Sequence, residues 1–455
     1  MGIGINNRIY TKELARITQK LALKRAKELQ KAFDGGEFDN GKRTVDIEQE
    51  VFIVDKETGE PVDIESLMLK GTFGIRPDTT VYTLEYDANG ITPVTVKGIR
   101  GLLNSFKNKT KNIQQLVTKA TNGRGIIVCI GTQPLVGDEY LSLIVRDPVK
   151  RKRYEALEEA TFVRENRQKE MVIRNDITGE ELRSRASNLS AMSRCAATQL
   201  HLAYPTIRET LEAYNISIAI AGPLITMFSN SPYASGIDTG LVNSRIEMLS
   251  QAEQKRAGLA KPAASIFDHF QNTLNQCMPP FIETDDPEKA LDLAYGAMHI
   301  STRIRLDEQS GTSRIELRVL DSLTPYRGIQ ALLLTIGIIE SLRGQKLSTY
   351  PESLINFKEG RKGLNSAMKY LGQTTDAKSL ILKLIDLAKK GLCASGLGEL
   401  AEEFLDPLEK EAMSRITQAD LIRQNVSSTE KKGVSRRIAI ATMLRGLNKS
   451  MLEEN

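Results

Sequence analysis

The sequence predicts an α+β fold in which an antiparallel sheet is packed with helices and is followed by a helical C-terminal region. Five separate stretches alternate polar or charged side chains with mainly apolar ones, which is typical of strands that have one wet face. These stretches begin at Val45, Thr83, Ala197, Met298 and Arg314. Longer segments with helical spacing of apolar residues separate them, and the pattern beyond about residue 346 is helical almost throughout.

Length and composition are those of a globular protein with a sizeable core. The 455 residues are 40% apolar, and 62 basic against 57 acidic residues leave a net charge of +5. Because basic and acidic residues nearly balance, the net charge gives no argument for binding nucleic acid or an anionic membrane. We expect neither as a partner. The four cysteines form no CxxC pair, and no apolar run reaches membrane-spanning length. We therefore expect a soluble, cytoplasmic protein.

Three regions are predicted along the chain: 1–40, a basic amphipathic helix and loop; 41–345, the domain that holds the sheet; and 346–455, helices packed on that domain. The first helix, over Thr11–Phe33, has an apolar stripe that we expect to consist of Leu14, Ile17, Leu21 and Leu29. Aromatic anchors are scarce in it, so packing against the protein is favoured over a membrane surface or a partner.

The first two predicted strands carry the acidic side chains. In Thr44–Val54 the residues Asp46, Glu48 and Glu50 share one parity and the apolar residues the other. The run Val81–Thr92 repeats this pattern with Glu85 and Asp87. Because the two runs are close in sequence, we expect them to pair. Helix Val96–Thr121 and a short buried strand at Gly125–Ile130 should follow.

The middle of the chain is predicted to place a histidine on a third strand. Asp147–Asn175 is so highly charged that we interpret it as a solvated helix or lid. After it, Gln199 and His201 share one face of the strand beginning at Ala197. A lone strand histidine is more often structural than functional, so it gains weight only beside other polar groups.

A second set of strands should carry arginines. Helix Ile207–Ser229 leads into a loop at Asn230–Gly236, and Arg245 lies on the next helix. The runs Met298–Asp307 and Ser313–Asp321 are predicted to form an antiparallel hairpin. Its polar side chains include Arg303, Arg305, Glu316 and Arg318. An apolar helix from Thr324–Pro325 to about Leu342 closes this region.

Taken singly, each strand is best interpreted as half-solvated, but the residue types on the five strands complement one another. Oxygen ligands of the kind that Mg²⁺ prefers stand beside planar donors that suit phosphate or carboxylate. The acidic set is Glu48, Glu50, Glu85, Asp87 and Glu316, and the basic set is Arg303, Arg305 and Arg318. The combination indicates a site for Mg²⁺ with a nucleotide triphosphate, because Mg²⁺ bridges carboxylates and phosphates.

Four motifs resemble the glutamate–cysteine ligase and carboxylate–amine ligase family. The run Asp46–Asp55 (DIEQEVFIVD) is similar to its G-x-E-x-E opening strand, and Gln199-Leu-His201 to its Q/H-x-H strand. The segment Phe228–Arg245 resembles A-N-S-P…G…T-G…S-x-R, and Ile315–Asp321 (IELRVLD) resembles V-E-I-R-x-x-D. Order and spacing agree over about residues 43 to 343. Asp46 replaces the usual glycine, Gln49 a middle acid and Gln199 a second histidine.

The resemblance implies a glutamine-synthetase-like sheet, a half-barrel that binds ATP and Mg²⁺, with Mn²⁺ as the alternative ion. ATP would phosphorylate the γ-carboxylate of a glutamate-like acid, and cysteine or another small amine would attack the acyl phosphate. The implied metal ligands are Glu48, Glu50, Glu85 and Glu316. The implied catalytic arginines are Arg318 and Arg245 on the phosphate and Arg303 or Arg305 on a substrate carboxylate. Nucleotide contacts are expected from Glu48, Gln199, His201, Asn230 and Arg318.

Three alternatives stay open from the sequence. The same ATP chemistry could join a different acid or amine, and the chain could be a non-catalytic regulatory protein on this fold. A nucleic-acid protein has only the basic ends of the chain in its favour. The acid, the amine and the oligomeric state, including a homo-oligomer, are not decided by the sequence.

Overall fold

The computed structural model describes residues 12–39, 41–65, 74–148, 151, 154–155, 158, 170–276, 286–296, 298–307 and 311–454. Strands within these ranges are β1 Thr44–Asp55, β2 Ile75–Pro77, β3 Thr83–Asp87, β4 Thr92–Pro93, β5 Gly125–Val128, β6 Glu170–Arg174, β7 Glu181–Arg185, β8 Ala197–Ala203, β9 Tyr233–Ala234, β10 Ile237–Asp238, β11 Thr302–Asp307, β12 Thr312–Asp321, β13 Ala367–Tyr370 and β14 Gln373–Asp376.

Helices within the same ranges are α1 Lys12–Asp34, α2 Val96–Ala120, α3 Asn188–Met192, α4 Ile207–Met227, α5 Ser244–Ala257, α6 Ile266–Gln276, α7 Pro287–Gly296, α8 Pro325–Leu342, α9 Tyr350–Glu359, α10 Ala377–Ala394, α11 Gly398–Ser414, α12 Gln418–Glu430 and α13 Arg436–Glu453. Two short 3-10 helices lie at Asp138–Ser142 and Gly360–Lys362.

The centre of the fold is one antiparallel sheet that curls into a half-barrel. Its strand order is β11-β12-β8-β1-β3-β2, and β4 and β5 also pair with β1. All five strands expected from the alternating pattern are in this sheet, so the α+β prediction and the β11–β12 hairpin are confirmed. The fourth strand begins at Thr302 rather than at Met298, and the segment before it runs as an irregular connection.

The two faces of β1 have different surroundings because its side chains alternate. Val45, Ile47 and Val51 are buried in the main core, which also takes in side chains of α2, α4 and α8. The opposite face carries Asp46, Glu48 and Glu50, which are half-buried. Further along that polar face, Phe52 and Val54 lie in a smaller core together with side chains of α12 and α13. The C-terminal helices therefore close one end of the polar face.

Two helix pairs cross at backbone contact, and glycine makes each crossing possible. A Cβ on Gly222 of α4 would lie 2.3 Å from the backbone of Asn356 in α9. A Cβ on Gly337 of α8 would lie 2.3 Å from the carbonyl oxygen of Ala388 in α10, and Gly391 meets Gly337 at similar range. Any larger side chain would push these axes apart.

Helix α1 packs inside the protein, as expected, through a stripe that differs in part from the predicted one. Its buried residues are Thr18, Ala22, Ala26, Leu29 and Phe33, and it lies against α6 and α7. Leu29 is buried as predicted and Leu21 is half-buried against the main core, but Ile17 is 47% exposed and its place in the stripe was wrong. The side chain of Leu14 lies outside the described residues.

The charged segment predicted as a helix over Asp147–Asn175 is corrected at its end. Residues Glu170–Arg174 form strand β6, paired with β7 in a two-stranded hairpin. Most of the remaining segment, including 159–169, lies outside the described residues. Val172 donates its backbone N–H to Gln251 of α5 and accepts from the same amide, which fixes the hairpin on that helix.

The C-terminal region is joined to the sheet by many contacts. It is helical apart from the β13–β14 hairpin. Basic residues near its end pair with acids of the earlier chain: Arg436 with Glu180, Arg437 with Glu60 and Arg445 with Glu57. No helix among the described residues has the length and apolar character needed to cross a bilayer.

Candidate active site

Strand register aligns the expected site residues in rows across the polar face. One row runs Arg303, Glu316, His201 and Asp46 over β11, β12, β8 and β1. The next row holds Gln199, Glu48 and Asp87. A third holds Glu50, Glu85 and Arg76. Successive rows are about 7 Å apart, since they are two residues apart on a strand.

Glu48, His201 and Glu316 converge on one point. Each offers a ligand atom, and these atoms all lie within 4.8 Å of one another. Nε2 of His201 is 3.2 Å from Oε2 of Glu48. Burial lowers the pKa of His201 to about 4, although the charge of Glu316 opposes this shift, so the imidazole is neutral near pH 7. A neutral imidazole with two carboxylates is a donor set that suits a divalent cation.

Glu316 is held by arginines. Arg303 donates two hydrogen bonds to the Glu316 carboxylate, from Nε to Oε2 at 2.5 Å and from Nη2 to Oε1 at 3.0 Å. Arg318 also donates to Oε1, and Nε of Arg305 lies 3.7 Å from Oε2. Burial raises the pKa of Glu316, but Arg303 and Arg318 outweigh it and hold that pKa well below its usual range. Glu316 is therefore ionised.

Arg303 and Arg305 differ in what they can still bind. Nη1 of Arg303 donates to the carbonyls of Tyr295 and Met298, both at 3.3 Å, and the side chain is 7% exposed. Its donors are thus occupied inside the protein. Arg305 is 40% exposed and open to an incoming anion. Of the two arginines expected to clamp a substrate carboxylate, only Arg305 has the exposure for it.

Glu50 and Glu85 crowd negative charge at the other end of the polar face. Glu50 accepts from the backbone N–H of Ala197 at 2.7 Å and from Nε2 of Gln199 at 2.9 Å. Burial, then Asp78 and Glu85, raises the pKa of Glu50 well above its usual value. Burial and Glu48 raise the pKa of Glu85 to about 8. A divalent cation among these carboxylates would relieve this repulsion, so the residues present fit one.

Arg76 partly balances this cluster from the edge strand β2. Its Nη2 lies 2.7 Å from Oε1 of Glu85, and both of its terminal nitrogens lie 3.2 Å from Asp87. Glu48 is farther away, at 3.8 Å. The guanidinium is thus a fixed positive charge at the rim of the acidic group.

Gln199 and Arg318 connect the two groups of carboxylates. Oε1 of Gln199 accepts from Nη1 of Arg318 at 2.5 Å, while its amide donates to Glu50. Arg318 follows Glu316 by two residues and reaches the same polar face. The register between β12 and β8 shifts between Leu317 and Leu320, next to this contact, which is typical of a β-bulge.

Asn230 and Arg245 lie in a buried network around Asp321. Oδ1 of Asp321 accepts from Nε of Arg245 at 2.9 Å, and Oδ2 accepts from the backbone N–H of Asn230 at 2.8 Å. Arg245 also donates to the carbonyl of Leu320 at 2.7 Å and is 4% exposed. The Asn230 amide bridges Gly131 and Ser322. These two expected site residues therefore hold the end of β12 rather than line the polar face.

Three residues of the site escaped the sequence analysis. Arg76 is on a strand of three residues, too short to show alternation. Asp78 directly follows that strand, and its charge contributes to the raised pKa of Glu50. Arg314 shares parity with Glu316 and Arg318, so the strand pattern did contain the signal that could have found it.

The half-barrel sheet packed with helices is the fold that the sequence predicted. The model for glutamate–cysteine ligase family 2 matches residues 44–351. The chain belongs to this family, and the resemblance seen in the sequence is confirmed.

Individual relatives agree with this assignment. A Rubrobacter xylanophilus protein, provisionally assigned as glutamate–cysteine ligase 2-1, is 30% identical over 137 residues, which are 29% of this chain and 31% of that protein. This chain thus spans less than a third of that relative's length in the match.

Two solved structures share the fold. Glutamate–cysteine ligase of Francisella tularensis, solved in complex with AMP, superposes with a TM-score of 0.61 at 11% identity, covering 91% of this chain and 90% of the other. A bifunctional glutathione synthetase of Pasteurella multocida gives 0.57 at 8% identity, covering 94% of this chain and 55% of the other. At these identities the likeness shows the fold alone.

Proposed function

We propose that the protein is an ATP- and Mg²⁺-dependent carboxylate–amine ligase that forms an amide on the γ-carboxylate of glutamate, with cysteine or another small amine as acceptor. The observation that carries this proposal is the convergence of Glu48, His201 and Glu316, beside Glu50 and Glu85, in a member of this ligase family. A different acid or amine with the same chemistry is the alternative.

Two cation positions follow from the donor atoms. Glu48, His201 and Glu316 would hold one ion. Glu50 and Glu85, which stand opposite each other in the β1–β3 register, would hold a second. Mg²⁺ bound there would supply charge neutralisation for the triphosphate. The same carboxylates also suit Mn²⁺.

The arginines of the site would have different roles in the two chemical steps. An oxygen of the substrate carboxylate attacks the γ-phosphorus of ATP, the bond to ADP breaks, and an acyl phosphate forms. Arg318 would neutralise charge that develops on the transferred group, and Arg305 would orient the substrate carboxylate. The amine then attacks the acyl carbon, phosphate leaves, and the nitrogen loses a proton. Arg303 and Arg245 would act as positioning residues, through Glu316 and Asp321.

ADP release by the purified protein tests this proposal. With Mg-ATP, L-glutamate and a panel of small amines, we expect ADP and phosphate production that depends on both acid and amine. If no combination of acids and amines stimulates ADP release, the ligase proposal is wrong and a non-catalytic role on this fold takes its place.

The Glu50→Gln variant should lose at least about 100-fold in turnover, the size of effect seen when one preorganised stabilising group is removed. Because the pKa of Glu50 is already raised, glutamine resembles its protonated form and the fold should be kept. Circular dichroism checks the fold, and Glu181→Gln on β7, outside the central sheet, is the control. Unchanged turnover in Glu50→Gln would remove Glu50 from the second cation position.

Glu316→Gln should also lose turnover, but for two reasons. It removes a cation ligand and it leaves the buried guanidinium of Arg303 without a counter-charge. Breaking such a pair costs about 3–5 kcal/mol of stability. Chemical denaturation should therefore separate this variant from Glu50→Gln.

A further inference from the structure

We propose that Arg314 holds His201 in a tautomer that cannot bind a cation, and that an incoming phosphate anion draws Arg314 away and thereby opens the site. Cation and nucleotide would then bind together rather than in independent steps. This inference rests on the proposed function in one respect only, that the polyanion is a nucleotide.

The first observation is the contact between Arg314 and the ring of His201. Nε of Arg314 lies 3.3 Å from Nδ1 of His201. A guanidinium has donors and no acceptor, so Nδ1 must present its lone pair and carry no hydrogen. In a neutral ring the hydrogen is then on Nε2, which donates to Oε2 of Glu48 at 3.2 Å.

This arrangement is the reverse of the one that a metal-bound histidine normally has. A ligating imidazole donates its other N–H to a carboxylate or carbonyl, which frees the lone pair of the ligating nitrogen. Nε2 is the atom that faces Glu48 and would bind the cation. It gains a lone pair only when the hydrogen moves to Nδ1, and Arg314 must leave Nδ1 for that to happen.

The second observation concerns the charged side chains that neighbour Arg314 on the sheet. Arg314 stands directly opposite Arg305 in the β11–β12 register, and like charges in such positions are unfavourable. Among the described residues, no ion pair is found for Arg314. Arg305 pairs with Glu316 at 3.7 Å, and Glu316 already accepts from Arg303 and Arg318. The charge of Asp46 acts on Arg314 without forming an ion pair with it, so a further anion would stabilise both guanidiniums.

A polyphosphate chain would supply this anion. The Arg305–Arg314 pair is one row, or about 7 Å, from the Glu316–His201 row. A phosphate bound to Arg314 would pull this side chain from Nδ1 and leave its neighbouring phosphates close to Glu48, His201 and Glu316, while Arg305 faces the substrate carboxylate. Coupling of this kind is reciprocal, so the cation should also strengthen nucleotide binding by the same factor.

Mn²⁺ titration followed by electron paramagnetic resonance tests the coupling on the full chain. Four proteins are compared, with and without a non-hydrolysable ATP analogue: wild type, Arg314→Met, Arg305→Met and Arg314→Met with His201→Asn. Arg305→Met is a matched control, because it removes the same charge from the same pair without touching His201.

Without nucleotide, we expect Arg314→Met to raise the affinity of one Mn²⁺ site about tenfold and Arg305→Met to raise it less than threefold. Adding the nucleotide should then raise the Mn²⁺ affinity of Arg314→Met only a little further. The gain should vanish with His201→Asn. An equal gain in both single variants would show a plain charge effect and overturn the proposal.

Nuclear magnetic resonance of the imidazoles gives a second readout. The chain has three histidines, so a long-range ¹H–¹⁵N spectrum of ¹⁵N-histidine protein is simple to assign with His201→Asn. We expect His201 to carry its hydrogen on Nε2 in the wild type. A hydrogen on Nδ1 would overturn the proposal even if Arg314→Met fails to fold. Neither readout needs turnover, so an inactive protein with the expected tautomer would contradict the proposed function and not this inference.

Discussion

At the scale of single residues, the buried imidazole of His269 is connected through Tyr295 to the strand that carries Arg303. Its Nε2 lies 2.7 Å from the hydroxyl of Tyr295, which donates to the carbonyl of Ile304 at 2.6 Å. The guanidinium of Arg303 lies over the Tyr295 ring at 5.7 Å. His269 thus fixes the strand that presents Arg303 to Glu316.

His269 should make stability depend on pH. Burial, and then the charge of Arg303, lowers its pKa in the folded protein to about 3, whereas the unfolded chain has about 6.5. Its contribution is fully present above pH 6.5 and is lost as the pH falls toward 3, because only the unfolded chain binds the proton. The loss approaches about 1.4 kcal/mol per pH unit.

Urea denaturation at several pH values between 7 and 5 checks this expectation. The free energy of unfolding of His269→Gln should fall less steeply with acidification than that of the wild type, by up to one proton. Tyr295→Phe keeps the imidazole and should keep the steep dependence. Equal slopes in wild type and His269→Gln would contradict the assignment.

Single residues also mark the limit of what the sequence could predict. Parity alone placed Glu48, Glu50 and Glu316 on the polar face, because side chains of a strand must alternate. Parity says nothing about whether a polar residue outside the strands reaches that face. Asn230 was expected to contact the nucleotide and Arg245 the phosphate, yet both surround Asp321, and no local pattern distinguishes these roles.

At the scale of elements, the turn after β5 illustrates how closely the strand ends are packed. A Cβ on Gly131 would lie 2.1 Å from Cγ of Asp321 at the end of β12. Asp321 accepts from Asn230, Ser231, Asn243 and Arg245, so it has no room to move. Gly131 thus keeps β5 and β12 in their relative position.

Gly131→Ala should destabilise the protein by about 2–3 kcal/mol, the upper part of the range for an overpacked core. Gly101→Ala is its control: it is exposed on α2 with nothing within 4 Å of the new Cβ, and should stabilise by up to about 1 kcal/mol. Thermal unfolding followed by circular dichroism compares them. A Gly131→Ala protein as stable as the wild type would mean that Asp321 is free to shift.

Elements were predictable where they are long and where one property alternates. The five strands with polar faces were found because each spans at least five residues with a periodic pattern. Strands of two or three residues, such as β2 and β4, show no period and were missed. In α1 two alanines, Ala22 and Ala26, share the contact with Leu29 and Phe33, and a pattern built on large aliphatic residues therefore omitted the alanines and included the exposed Ile17.

At the scale of the whole molecule, the division into three regions is not matched by separate cores. The main core includes Ala22 of α1, the sheet and Met451 of α13. The second core joins Phe52 and Val54 of β1 to Ile440 and Met443 of α13. The site is therefore closed at one end by helices that are distant in sequence.

Ile440→Ala should destabilise the whole chain by about 2–4 kcal/mol, because Ile440 is fully buried against the sheet. Ile438→Ala on the same helix is the control; it is 54% exposed and should change stability by less than about 0.5 kcal/mol. Circular dichroism in urea should show one transition that moves as a unit. A separate early transition in Ile440→Ala would mean that the C-terminal helices unfold independently.

The two glycine crossings limit how this protein can open and close. Packed helices usually accommodate a ligand by sliding over layers of flexible side chains. At Gly222–Asn356 and Gly337–Ala388 the backbones touch, and such a layer is missing. Sliding of α4 along α9, or of α8 along α10, is therefore blocked, and we expect each of these helix pairs to move only as a unit.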